Sequence, residues 1–173
     1  MEEKGIFFLL DALSDLNAKG ISFEASIAGH IEQSQRHKIL SRVKQIKGVT
    51  YKGIVKGDDK RKMLWESNVF VLPTFYKMEG LPISIIEAMA TGNVIITTNH
   101  AAIPDLVIHD ENGFLIKKRS STHILEKLLF LAKNSNKVKE ISICNIAKAK
   151  NQFHAKKFSK LLLEIVHEKV MQL

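Results

Sequence analysis

A chain of 173 residues, 45% apolar and 25% charged, fits one domain with a real core. The net charge of +8 admits a phosphorylated ligand, an anionic membrane surface or solvated Lys-rich helix faces; aromatics are not interleaved with the basic residues, and no helix-turn-helix or zinc-finger spacing occurs, which sets nucleic acid aside. No apolar run reaches membrane-spanning length, Ile6–Leu10 lacks the flanks of a signal peptide, and the single cysteine, Cys144, excludes an internal disulfide and a Cys-rich metal site.

Apolar residues at 6, 9, 10, 13 and 16 predict a helix over Ile6–Asn17, closed by Gly20. Ile21–Ala28 alternates and then runs apolar, as a strand does, and ends at Gly29. Glu32–Ile46 is helical, and Val49–Tyr51 reads as a short strand ending at Gly53. Asp58 and Asp59 are expected to cap a helix running through Trp65, and the acidic first turn suits its dipole. A buried strand follows at Val69–Leu72, then a helix over 82–90 with Pro82 at its first position, then a strand at Val94–Thr97. A short helical turn at Pro104–Ile108 leads to the turn signal Asp110–Gly113 and the strand Phe114–Ile116. Helical segments at about 121–134 and 137–170 complete the chain.

Strands alternating with helices predict an α/β fold with a doubly wound parallel sheet. Such sheets bind ligands beyond the carboxyl ends of their strands, where Gly29, Gly53, Pro73–Gly80 and Thr97–Ala102 all fall. One strand is missing from the pattern. A doubly wound domain starts with a strand that lies centrally in the commonest order, yet Met1–Gly5 runs almost directly into helix. The expectation is a sheet with a gap or an unpaired edge at its centre, in a single domain (1–173) that is a fragment of a longer protein or has lost its first strand.

The most informative stretch is 73–92. It joins a buried strand to an uncapped helix through a turn holding Glu79 and Gly80, with a second carboxylate, Glu87, eight residues after the first. Free N–H groups at a helix start and the helix dipole form an anion site. Gly80 has no side chain to obstruct a close backbone approach. Glu87 lies about 7–8 Å along the helix from its start, at roughly 1.5 Å per residue.

The ordered set Lys4-Gly5, Gly53, Glu79-Gly80-Leu81-Pro82, Glu87-Ala88-Met89-Ala90-x-Gly92 and Asp110-x-Asn112-Gly113 resembles the C-terminal, Rossmann-like domain of GT-B glycosyltransferases. The likeness is to the retaining enzymes with a Glu-x7-Glu motif and covers roughly residues 4–135. It implies binding of a nucleoside-diphosphate sugar, UDP- or GDP-linked, with no metal. Glu79 and Lys4 are implied as the catalytic residues, Glu79 meeting the donor sugar and Lys4 neutralising the leaving diphosphate. Thr74, Gly80, Leu81, Pro82 and Glu87 complete the donor site, Glu87 on the ribose, and the backbone of Gly53 and Ile54 reads the nucleobase edge.

The resemblance further implies a glycan or lipid-linked acceptor held by an N-terminal domain, a cytoplasmic location at the inner face of the plasma membrane, and no turnover by this half alone. A stand-alone nucleotide-sugar module and another GT-B chemistry, such as sugar epimerisation, remain alternatives. Three departures stand out. No arginine precedes Lys4, Lys77 and Met78 precede Glu79 where many relatives carry Arg, and Gly92-Asn93-Val94 replaces the usual Gly-x-Pro. His30 and His100 sit at strand ends, where lone histidines are more often idle than functional.

Overall fold

The computed structural model describes residues 2–153. After a 3-10 turn, Glu2–Lys4, the order is α1 (Ile6–Ala18), β1 (Ala25–Ile27), α2 (Gln33–Gln45), β2 (Val49–Tyr51), α3 (Gly57–Trp65), β3 (Val69–Leu72), α4 (Ile83–Ala90), β4 (Val94–Thr98), α5 (Ile103–Leu106), β5 (Gly113–Ile116), α6 (Ser121–Lys133) and α7 (Ser135–Gln152). All strand pairs are parallel. The α/β reading therefore holds, and the part of the last predicted helix beyond residue 153 lies outside the described residues.

The strands form two sheets, β1-β2 and β3-β4-β5. Removing the first strand from the doubly wound order 3-2-1-4-5-6 leaves this division, so the central gap read from the sequence is present. The two halves are covered differently. All five residues of β4 are buried. Val94 and Ile96 pack with α1, α6 and Ile141 of α7, while Ile95 faces the opposite cluster of Leu64, Ile85, Met89, Ile103 and Leu106. In β1 and β2, Ala25, Ile27, Val49 and Tyr51 pack on α1 and α2, whereas Ser26 and Thr50 are exposed. The polar–apolar alternation of 21–27 is thus the signature of a sheet wet on one face.

Several boundaries differ from the sequence expectation. β1 covers only 25–27, because only these residues find ladder partners on β2. α3 begins at Gly57 with Lys56 as N-cap, so Asp58 and Asp59 fill the first turn and no side chain caps it. The short helix is Ile103–Leu106, with Pro104 inside its first turn. Pro82 is the N-cap of α4 rather than its first helical residue; its ψ of 106° is extended, and helical geometry starts at Ile83.

A buried amide cluster ties α7 to the sheet. Asn145 Nδ2 donates to the carbonyls of Asn93 and Asn112 at 2.8 Å, and Asn112 Nδ2 donates to Asn145 Oδ1 and Leu106 O at 3.0 Å. Asn112 Oδ1 accepts from Ile108 N at 2.7 Å and closes the turn before β5. Each amide is fully buried, so each lost partner leaves a polar group without water. Asn145→Ala should therefore lower unfolding stability by about 2–4 kcal/mol in urea melts, the sum expected for several unmet buried groups. A loss under about 0.5 kcal/mol, the size of an ordinary surface change, would show the cluster to be dispensable.

Candidate functional site

The carboxyl ends of the strands carry three neighbouring features. The first joins the ends of β1 and β2. Gly29 N donates to Gly53 O at 2.8 Å, and Tyr51 Oη donates to Gly29 O at 2.7 Å. His30, Ile31, Gln33, Arg36, Tyr51, Gly53 and Ile54 line a cleft of about 490 Å³ there. Gly53 adopts φ 71°, a left-handed conformation that aims the loop outward, and Ile54 is largely exposed.

The second feature sits at the end of β3. Gly5 has φ 82°, and a Cβ there would stand 2.3 Å from the carbonyl oxygen of Pro73. Only glycine lets the 3-10 turn lie so close to the strand end. The contact is extended by Phe75 N donating to Glu3 O at 2.8 Å. Lys4 is thereby carried to Glu79, 75 residues away in sequence, and its Nζ donates to both carboxylate oxygens at 2.8 Å. The fully buried Thr74 donates through Oγ1 to Glu79 Oε2 at 2.7 Å. Lys4 also lies 5.0 Å from the centre of the Tyr76 ring. Glu79 is thus held by a charge, a hydroxyl and its own turn, with its side chain only 8% exposed.

Beyond Glu79 the turn runs through Gly80, Leu81 and Pro82 into α4. Among the described residues the amides of Gly80, Leu81, Ile83 and Ser84 donate to nothing, and no side chain caps the helix. These donors and the helix dipole favour an anion. Gly80 has open space where a Cβ would stand and no left-handed φ, so the fold itself does not require glycine there. Glu87 projects from α4 half-exposed and pairs with Lys60 of α3 at 2.5 Å.

The structure therefore joins Lys4, Thr74 and Glu79 directly and sets Gly80, Leu81 and Pro82 between the two acids. Gly53 and Ile54 occupy their own cleft. Sequence reasoning missed Lys60, which belongs to a helix carrying no motif. It also missed the brace at His100, whose Nε2 donates to Tyr76 O at 2.7 Å while Nδ1 accepts from Lys118 at 2.8 Å. A ring bonded on both sides holds the Tyr76–Glu79 turn in place, the role left to His100. His30 lines the first cleft. The third feature is a cleft of about 580 Å³ lined by Asn99, His109, Leu115, Ile116, Lys117 and Lys118. Among the described residues no group of three or more His, Cys, Asp or Glu is placed to hold a metal, and no helix is long and apolar enough to cross a membrane.

The family model for glycosyl transferases of group 1 matches residues 1–163. The chain is 30% identical over 132 residues to WcaL of Escherichia coli, a glycosyltransferase assigned to colanic acid biosynthesis. That match covers 73% of this chain and 32% of the relative, so the chain spans about a third of that relative's length. Anabaena HepE, solved with UDP-glucose, superposes with a TM-score of 0.83 at 18% identity over 97% of this chain and 46% of that one. The C-terminal domain of LpcC, a group 1 glycosyl transferase family protein from Francisella tularensis, superposes at 0.74 with 21% identity over 90% of this chain and 82% of that one. At these identities the two superpositions show a shared fold.

The two glycines of this region make a contrast. Gly5→Ala meets both a positive φ and a backbone carbonyl, so it should cost well over 1 kcal/mol and speed hydrogen exchange at the Phe75 amide. Gly80→Ala should leave stability within about 0.5 kcal/mol. Equal stability of the two variants in denaturant melts would contradict the packing described at Pro73.

Proposed function

The chain belongs to the group 1 glycosyl transferases, and from that premise we propose that it is the half of such an enzyme that binds a nucleoside-diphosphate sugar for retaining transfer to a polysaccharide or lipid-linked acceptor. The observation that carries the reading is the arrangement around α4: among the described residues the amides of Gly80, Leu81, Ile83 and Ser84 are unspent, with a carboxylate before them and another after them.

In this reading the diphosphate lies over the amides of Gly80, Leu81, Ile83 and Ser84, where both donors and dipole favour negative charge. Glu79 accepts hydrogen bonds from sugar hydroxyls, a task for which a carboxylate offers two oxygens. Its orientation is set in advance by Thr74 and Lys4. Lys4, beside it, neutralises the charge that develops on the leaving diphosphate, the kind of fixed electrostatic help that acts without reorganisation. Glu87, half-exposed beside Lys60, offers its carboxylate to the ribose hydroxyls. The nucleobase enters the cleft at Gly53 and Ile54, whose volume and mixed lining suit a flat heterocycle. The acceptor is held by protein outside this chain, so the chain alone binds donor without turnover.

Two substitutions separate the roles. Glu87→Ala should weaken UDP or GDP binding by about 1–3 kcal/mol in calorimetry, the worth of hydrogen bonds to a charged group. Unchanged titration curves would remove Glu87 from the ribose. Glu79→Ala should spare free UDP and GDP while weakening UDP-glucose or GDP-mannose; equal losses for the nucleotide and its sugar conjugate would take Glu79 off the sugar.

A further inference from the structure

The cleft of about 580 Å³ beside the ends of β4 and β5 is walled by cations and by no acid. Lys117 and Lys118 follow β5 directly and Arg119 comes next; all three are exposed. Among the described residues no carboxylate forms an ion pair with any of them. By contrast, Lys4, Arg42, Lys60 and Lys137 each meet a carboxylate at 2.8 Å or less. Asp110 stands 3.4 Å from His109 Nε2 but is not part of the wall. A cleft lined by one sign of charge concentrates ligands of the other.

Lys118 is fixed in this wall. Its Nζ donates to His100 Nδ1 at 2.8 Å, and Nε2 of the same ring bonds Tyr76 O at 2.7 Å. A ring that accepts at Nδ1 is neutral, so the ammonium keeps its whole charge and two further N–H groups. Arg119, with a left-handed φ of 56°, stacks 4.5 Å from the centre of the Phe75 ring and leaves the wall to the two lysines. The rest of the lining suits a saccharide. The His109 ring is held by Leu115 N, which donates to its Nδ1 at 3.1 Å, and the ring and the half-buried Leu115 side chain offer apolar surface. Exposed Asn99 offers an amide that both donates and accepts. The volume falls within the range of about 300–1,000 Å³ usual for small-molecule sites.

The cleft also has a direction. In the order β3-β4-β5 it lies on the side of the Glu79 turn away from β1 and β2, whose ends carry the cleft at Gly53 and Ile54. A donor spanning from Gly53 to Glu79 therefore has its sugar end nearest to Lys118. We propose that this cleft binds an acidic saccharide, its carboxylate or phosphate meeting Lys117 and Lys118 and its ring packing on His109 and Leu115. Resting on the donor-site reading, that saccharide is the anionic part of the acceptor, whose remainder is held outside this chain.

The test titrates the 15N-labelled full chain with trigalacturonate, with glucose-6-phosphate, and with maltotriose as the uncharged control. Saturable amide shifts at Asn99, Leu115, Lys117 and Lys118 are expected with trigalacturonate if the anion is a carboxylate and with glucose-6-phosphate if it is a phosphate. Maltotriose should bind about tenfold more weakly or worse, since the field of the lysines does not draw it. Lys117→Gln, which breaks no contact among the described residues, should weaken the acidic probe about three- to fivefold, the worth of a partly exposed charge pair. Four results overturn the proposal: no shift at these residues with either acid, maltotriose bound as tightly as the acids, unchanged affinity in Lys117→Gln, or loss of the cleft signals on adding UDP-glucose or GDP-mannose, which makes the cleft part of the donor site. Anionic phosphatidylglycerol vesicles that broaden these amides while both acids leave them unmoved would assign the lysines to a lipid surface instead. The spectra read the two sites separately. Silence at residues 80–84 with both sugar nucleotides sinks the donor reading and the acceptor assignment with it, while the cleft keeps its acidic saccharide.

Discussion

The contact between Gly5 and the carbonyl of Pro73 is the constraint from which the site follows. Because the glycine has no side chain and accepts φ 82°, a terminal turn lies flat against the end of β3. Glu3 then bonds Phe75, and Lys4 reaches Glu79 with both carboxylate oxygens at 2.8 Å. A residue near the start of the chain becomes part of a site made by a turn seventy-five residues later. Any side chain at residue 5 separates these elements, whatever else stays folded.

The rest of the site is built to stay put. Thr74 is fully buried and holds Glu79 from below, and its own carbonyl accepts from Thr98 Oγ1 on the neighbouring strand. His100 and Lys118 brace the far side of the turn through Tyr76. Preorganisation of this kind keeps a carboxylate in one orientation before any ligand arrives. Glu87 is less constrained, half-exposed and, among the described residues, paired with Lys60. The buried Asn93–Asn112–Asn145 cluster secures α7 against this half of the fold, and α7 in turn packs on α4.

Much of the architecture was legible in the sequence because periodicity and turn chemistry act locally. The apolar run at 69–72, the amphipathic stripe of α1 and the Asp110–Gly113 turn each declared themselves within a few residues, although the strand at 69–72 is half-buried rather than buried as expected. The missing central strand was also readable, since the order of elements left no strand ahead of α1. What the sequence hid are consequences of distance. Nothing near Lys60 marks its pairing with Glu87, and nothing near Asn145 marks it as the centre of a buried amide cluster. Pro82 was placed one residue inside α4 because proline favours the first turn; its extended ψ makes it the cap instead. The first turn of α3 misled in a similar way, its acidic residues suiting the dipole without capping the helix.

The central claim is that the amides at the opening of α4 receive the diphosphate of a sugar nucleotide. The direct measurement is an NMR titration of the 15N-labelled chain with UDP-glucose and with GDP-mannose, following every backbone amide. The account predicts the largest shifts at Gly80, Leu81, Ile83 and Ser84, with smaller ones at Gly53 and Ile54, for whichever donor binds. Saturable shifts confined to the cleft at Asn99, Lys117 and Lys118, with residues 80–84 unmoved, would contradict it.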